Sequence, residues 1–380
     1  MTEREAEQHA AATRVGGGQV LLVTKRLDVE PAGGRQLLCK LNHDVLRDLL
    51  GVRLVLEELD PRPVQGARRA LQAFRGHIDG VSDASIARIL VRIGEMDIRS
   101  VFVDGSNYGE VVRAIKRAYP AVRVCVFFHN CEARFFWGAL RDSRSLRALL
   151  VFVVNLLAER KSVRHGDALI CLSQRDGDQL VRLYGRGATH ISPMALVDTL
   201  QAGETSAIVP RARAVALFVG GLFYANRAGI QWFVRDVVPH VKTEVWIVGK
   251  GLESLRESTR IPAGVRVVGE VPAVAEWYRQ ANFVVAPIFD GSGMKTKVAE
   301  ALMHGKEIIG TPEAFSGYED IAGEAGIVCR TAGEFIAAID ATASTGRPAF
   351  RQDLRALYEK RYSFAAARQR MADILELSAT

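Results

Sequence analysis

The feature that most constrains the fold is a repeated grammar. A short run of Val, Ile, Leu and Phe is closed by a glycine or a polar turn, and helical periodicity follows. The first half shows it as "VLLVTK", "SVFVDGS", "VRVCVFFHN" and "DALICLS"; the second as "AVALFVGG", "EVWIVGKG", "VRVVGEV", "NFVVAPI" and "EIIGTP". Strands apolar on both faces belong to parallel sheets covered by helices on either side. Their alternation with helices predicts an α/β protein of two doubly wound parallel-sheet domains facing a cleft. The 380 residues suffice for both domains. The expected boundaries are 19–200 for the N-terminal domain, 201–214 for a linker and 215–355 for the C-terminal domain. Residues 356–380 are expected to form a helix returning to the N-terminal domain, and residues 1–18 a disordered tail. Ligands of such sheets bind beyond the carboxyl ends of the strands, so the loops after the strands are where chemistry is sought.

Composition narrows the setting. The longest apolar run, "ALLVFVVNLLA" at 148–158, is too short to span a bilayer. The polar N-terminus carries no apolar signal region. Five cysteines, an odd count without metal-like spacing, point to a reducing, cytoplasmic compartment. The net charge of +7 is uneven: residues 111–164 hold 11 basic against 3 acidic side chains. Within them "ARFFWGALRDSRSLRALLVFVVNLLAERKSVR" mixes aromatics, aliphatics and arginines. Two readings fit: a peripheral face on anionic lipid at the inner side of a membrane, or a core helix with a solvated basic face. No nucleic-acid partner is expected.

The most informative loop is "FDGSGMKTKVAEALMHGK", residues 289–306. Gly291, Ser292 and Gly293 allow a close backbone approach, and a helix then begins with Lys295 and Lys297 near its positive end. That combination reads as a phosphate cradle, or as a Gly-Ser turn opening a surface helix. Lys297, Glu300 and His304 share one helical face, where Glu300 can accept the two hydroxyls of a ribose.

The wider stretch "VVGEVPAVAEWYRQANFVVAPIFDGSGMKTKVAEALMHGKEIIGTPEAFSGYED" resembles the donor-binding half of the family 4 glycosyltransferases, in a "G-x-V … Y … A … V-x-P" run and in "K-x-x-E-A-x-x-x-G". "GGLFYANRAGIQWFVRDVVPHV", "EVWIVGKG" and "YSF" extend the resemblance. In the first half "PAGGRQ", "FFHNCEARFF" and "ALICLSQRD" carry it more thinly. It implies the GT-B fold, two Rossmann-like domains across a cleft, and glycosyl transfer from a nucleoside-diphosphate sugar to a glycan or lipid-linked acceptor. By the resemblance, Glu300 meets the ribose, and the backbone of Gly293 and Met294, with Lys295 or Lys297, holds the diphosphate; Ser292 belongs to the same phosphate cradle by its place in the loop. Val271 meets the base, Gly33 and Gly34 close on the phosphates, and His129 stands near the transferred sugar. His129 and Lys295 are the catalytic candidates. A retaining, metal-independent reaction with no cofactor is expected, in polysaccharide or glycoconjugate synthesis.

Two positions depart from the family pattern. Ser292 stands where many members carry a second glutamate, eight residues before Glu300. An Arg…Lys pair after the first strand of the C-terminal domain is replaced by "GGLFYANRAG", leaving Arg227 as the substitute, with Asn226 as a helix cap. These departures keep open a catalytically inactive nucleotide-sugar-binding module; a nucleotide-sugar 2-epimerase is the other alternative on the fold. The turns in "PAGGRQ" and "VGKGLES" lack the G-x-G-x-x-G spacing of a dinucleotide oxidoreductase. Asp104 and Asn107 read as turn residues, Arg35 as a phosphate contact or an exposed arginine, and Glu313–Glu319 as a turn or a sugar-pocket wall.

Overall fold

The computed structural model describes residues 18–28, 33–60, 67–200, 213–345 and 349–377. The tail expected at 1–18, save Gly18, and the linker expected at 201–214, save its last two residues, lie outside them.

Among the described residues, twelve strands build two sheets. The first comprises β1 (Gln19–Lys25), β2 (Leu54–Leu59), β3 (Ile98–Asp104), β4 (Arg123–Phe128), β5 (Ala168–Cys171) and β6 (His190–Ile191), in the order β2-β1-β3-β4-β5-β6. The second comprises β7 (Val215–Val219), β8 (Glu244–Val248), β9 (Val265–Gly269), β10 (Phe283–Ala286), β11 (Ile308–Gly310) and β12 (Gly326–Val328), in the order β12-β11-β10-β7-β8-β9. Every pairing is parallel. Strand order reverses between β1 and β3 and between β7 and β10, and a crevice opens at such a switch point.

Strand β1 shows why the runs are apolar throughout: Leu21 and Val23 enter one core cluster, Val20 and Leu22 the other, so both faces are buried. Strand β2 reads "LVLEEL" and has no uniform apolar run. It lies at the sheet edge, where only Glu57 and Leu59 are buried. Edge position explains why it escapes the pattern.

Eight helices position the cleft: α1 (Gly34–Leu50), α2 (Glu132–Ser143), α3 (Leu146–His165), α4 (Gln174–Tyr184), α5 (Tyr224–Asp236), α6 (Thr296–Met303), α7 (Gln352–Arg361) and α8 (Phe364–Ile374). The C-terminal segment forms two helices, split where Leu196 N–H donates to the Tyr362 carbonyl at 2.8 Å. Tyr358 Oη donates to the Leu196 carbonyl at 2.9 Å, and Arg368 pairs with Asp48 of α1. The chain end thereby ties the second half to the first. Among the described residues no helix is long and apolar enough to cross a membrane.

Candidate functional site

Both switch points feed one cleft. On the C-terminal side, the loop after β10 turns through Gly291 at φ 138° and Gly293 at φ 65°, values that an L side chain rarely adopts. It leads into α6, whose start has no side-chain cap, so its first N–H groups remain available. Lys295 Nζ donates to the Gly293 carbonyl at 2.9 Å and to Glu313 Oε1 at 3.0 Å. Lys297 Nζ donates to Asn226 Oδ1 at 3.0 Å and lies 4.3 Å from the centre of the Phe218 ring. Burial pushes its ammonium down to about 7, against the pull of Glu300. Glu300 accepts from Tyr278 Oη at 2.8 Å, and burial raises its carboxyl above the usual range. His304, on the same helical face, stacks on the Tyr278 ring at 5.0 Å. It supports the tyrosine that holds Glu300.

On the N-terminal side, β4 delivers His129 beside the end of β3. His129 Nε2 lies 2.8 Å from Asp104 Oδ1, which also accepts from Asn42 Nδ2 at 2.9 Å; Thr24 Oγ1 donates to Oδ2 at 2.9 Å. Burial opposes the Asp104 charge, but His129 and the other donors outweigh it and hold the carboxyl below its ordinary range. The other ring nitrogen, His129 Nδ1, is buried without a partner among the described residues. The Cys39 Sγ is 3.9 Å from His129 Nε2. Cys39, Asp104 and His129 have the residue types of a cation site. Burial keeps the Cys39 thiol protonated, however, and both Asp104 oxygens are occupied, so the trio fits an orienting network better than a ligand set. Asp104, read from sequence as a turn residue, is fully buried and orients His129.

The two sides touch. A Cβ on Gly293 would sit 3.0 Å from the His129 carbonyl oxygen, and one on Gly34 would sit 3.0 Å from Thr296 Oγ1. Gly33, at φ 85°, has open space around it. Ser292 Oγ donates to the Cys131 carbonyl at 3.2 Å, and Arg134 Nε donates to the Gly291 carbonyl at 3.1 Å. Arg175 bonds Glu313 Oε2 at 2.7 Å and Ser316 Oγ. Burial disfavours the Glu313 charge, yet Lys295 and Arg175 hold its carboxyl below the ordinary value. The Met294 side chain reaches the first domain: its Sδ accepts the Met194 N–H at 3.3 Å and it fills the space beside Gly317.

The structure therefore gathers Gly34, His129, Ser292, Gly293, Lys295, Lys297 and Glu300 about one crevice. Val271 follows β9 and packs, partly buried, on the second core. Arg227 is elsewhere: its guanidinium pairs with Asp142 of α2 at 3.3 Å at the surface. The cap of α5 is Phe223, not Asn226. Asn226 instead bridges the Gly221 carbonyl, 2.7 Å away, and Lys297. Sequence reasoning missed Tyr278, Arg134 and Arg175, each joined to the site from a remote element.

Residues 213–344 match the family model described as glycosyl transferases group 1. No curated protein matches the chain. The chain is similar in structure to Anabaena HepE in complex with UDP-glucose, with a TM-score of 0.67 at 14% identity over 95% of this chain and 100% of that one. It is likewise similar to sucrose-phosphate synthase from Thermosynechococcus elongatus, with a TM-score of 0.68 at 16% identity over 94% and 98%. A third likeness is to the lipopolysaccharide outer core galactosyltransferase WaaB in its apo form, with a TM-score of 0.62 at 13% identity over 95% and 100%. Residues 213–344 are thus a glycosyl transferases group 1 domain, and the chain as a whole shares the two-domain GT-B fold of these structures.

Proposed function

We propose that the protein moves a sugar from a nucleoside-diphosphate sugar to a glycan or lipid-linked acceptor, with retention and without a divalent metal. The carrying observation is the crevice where the uncapped start of α6, Lys295 and Lys297 face the Gly33–Gly34 turn and His129. Departure of the diphosphate places negative charge there, and fixed N–H groups and ammonium groups stabilise such charge as it develops. Glu300, held by Tyr278, takes the ribose hydroxyls, and Val271 borders the base. His129, fixed by Asp104, offers Nδ1 to the transferred sugar. HepE, whose complexes hold UDP and UDP-glucose, supports a nucleotide-sugar donor. The enzyme acts in the cytoplasm at the inner face of a membrane, in polysaccharide or glycoconjugate synthesis.

The test is a thermal-shift series with UDP, GDP, ADP and dTDP, followed by transfer assays with the sugar of the best nucleotide. A ligand specific to the folded state raises the melting temperature. Activity is expected to persist in chelator; activity that vanishes there and returns with magnesium refutes metal independence. One observation favours a second reading, an inactive binding module: Ser292 is spent on the Cys131 carbonyl and brings no carboxylate to the sugar. Nucleotide binding without transfer or donor hydrolysis selects that reading.

A further inference from the structure

The N-terminal domain holds a cavity of about 870 Å³, bordered by Arg35, Glu132, Phe136, Leu150, Val151 and Asn155 among others. It adjoins the crevice: Arg35 follows Gly34, which meets Thr296, and Glu132 follows Cys131, whose carbonyl receives Ser292. Two polar groups on its wall lack partners. Arg35 is held by Asp79 at 3.0 Å and Asn107 at 3.1 Å, but its Nε is buried and unbonded. Glu132 is 6% exposed, and no hydrogen bond or ion pair reaches its carboxylate among the described residues. A buried polar group without a partner is costly, and in a native cavity it marks the place of a ligand atom.

Glu132 is also placed firmly. Its own N–H and that of Ala133 donate to the Glu159 carboxylate at 2.9 and 3.2 Å. Glu159 further accepts from Ser106 Oγ at 3.0 Å and Tyr184 Oη at 2.8 Å. The first turn of α2 is thereby fixed, and the free carboxylate projects from a rigid element. Phe136, one turn beyond Glu132 on α2, and Leu150, Val151 and Val154 of α3 add an apolar part to the lining. A site with one unpartnered carboxylate, one unpartnered guanidinium N–H and an apolar wall matches a sugar hydroxyl attached to an apolar body.

Resting on the glycosyltransferase reading, we propose that Glu132 selects the acceptor: its carboxylate takes the hydrogen bond of the acceptor hydroxyl, Arg35 Nε donates to a neighbouring sugar oxygen, and the apolar wall holds a hydrophobic aglycone. The carboxyl is faced by Arg35 from α1, Glu159 from α3 and Asp79 from the preceding loop, and burial pushes it up to about 7. Above that pH it is a carboxylate and accepts strongly; below it the bond weakens.

The experiment uses the full chain, the donor found in the nucleotide screen, and n-octyl β-D-glucoside and β-D-galactoside below their micelle concentrations, with the free sugars as controls. Wild type is expected to glycosylate an octyl glycoside in preference to the free sugar, with an acceptor KM that rises as pH falls below about 7. Glu132→Gln is expected to raise that KM about ten- to a hundredfold, to abolish its pH dependence and to leave the Kd for the nucleoside diphosphate unchanged. Leu150→Arg, at the rim of the apolar wall, is expected to raise KM for octyl glycosides and not for free sugars, which keeps the test alive if Glu132→Gln fails to fold. A wild-type acceptor KM and pH profile in Glu132→Gln overturns the proposal, as does a wild type that hydrolyses the donor or glycosylates the free sugars but uses no octyl glycoside. A wild type that binds no nucleoside diphosphate, or binds one with neither transfer nor donor hydrolysis, refutes the glycosyltransferase reading itself.

Discussion

Lys297 is a phosphate-loop lysine held far from its ordinary state by burial. Its ammonium sits among Phe218, Asn226 and the second core, with burial pushing it down to about 7. On the proposed function a diphosphate arrives beside it and would restore the charged form. The bound value then lies above the free one, so affinity is full below about pH 7 and is lost as pH rises towards the bound value. Nucleoside-diphosphate affinity is expected to fall between pH 7 and 9 by up to about tenfold per unit, with proton uptake visible by calorimetry in buffers of different ionisation enthalpy. Lys297→Met is expected to weaken binding and flatten the profile; a flat wild-type profile refutes the coupling. Glu300→Ala removes a two-oxygen acceptor and is expected to weaken nucleotide binding by about tenfold or more; unchanged affinity rules out its ribose role. The shared face of Lys297, Glu300 and His304 was legible because helical spacing is local. Their partners were not: Asn226 lies 71 residues from Lys297 and Tyr278 lies 22 from Glu300. Periodicity is silent about side chains supplied by a neighbouring element.

At the scale of elements, the strands announced themselves and the loops only partly did. Parallel strands buried on both faces leave long apolar runs, so nine of the twelve were readable as runs, whereas edge strand β2 and the two short end strands, β6 and β12, were not. The loop of residues 290–295 was legible as glycine-rich, but its fit against the other domain was not. That fit depends on Gly293, which combines φ 65° with a Cβ direction that ends 3.0 Å from the His129 carbonyl and 3.1 Å from Asn130 Cβ. Gly293→Ala therefore pays twice: roughly 1 kcal/mol for a positive φ in an L residue, and a contact that holds the two loops apart. Because the second cost falls on closure, the melting temperature of the apo protein is expected to drop by only a few degrees, while transfer falls far more steeply than nucleotide affinity. The measurement is kcat and KM for donor against Tm. Equal proportional losses in nucleotide affinity and turnover would show that Gly293 serves binding alone.

Across the whole molecule, the charge asymmetry visible in the sequence becomes a surface. Of the basic groups in residues 111–164, several are spent internally: Arg113 and Lys161 on Glu110, Lys116 on Asp167, Arg123 on Glu376 and Arg134 on Glu313. Arg141, Arg144 and Arg147 are exposed and have no ion-pair partner among the described residues. They surround an apolar set in which Trp137 is 50% and Leu146 73% exposed, with Leu149 and Leu150 beside them. Phe135 and Phe136 do not belong to it: they pack on each other, and Phe135 on Tyr224, half-buried. On the proposed membrane reading, Trp137, Leu146 and Leu149 would enter the interface and the three arginines would meet headgroups. Each basic residue near an anionic surface contributes about 1 kcal/mol, so three arginines and a tryptophan give reversible rather than permanent attachment. Wild type is expected to co-sediment with phosphatidylserine-containing vesicles at low salt, to be released at high salt, and to ignore pure phosphatidylcholine. Replacing the three arginines with Glu is expected to abolish sedimentation, and Trp137→Ser to weaken it; Arg141 and Arg144 border a cavity that Phe289 and Asp290 also line, so Trp137→Ser is the variant expected to leave nucleotide affinity unchanged. If wild type stays in the supernatant at both salt concentrations, the basic face is only solvated, and the acceptor meets the enzyme from solution.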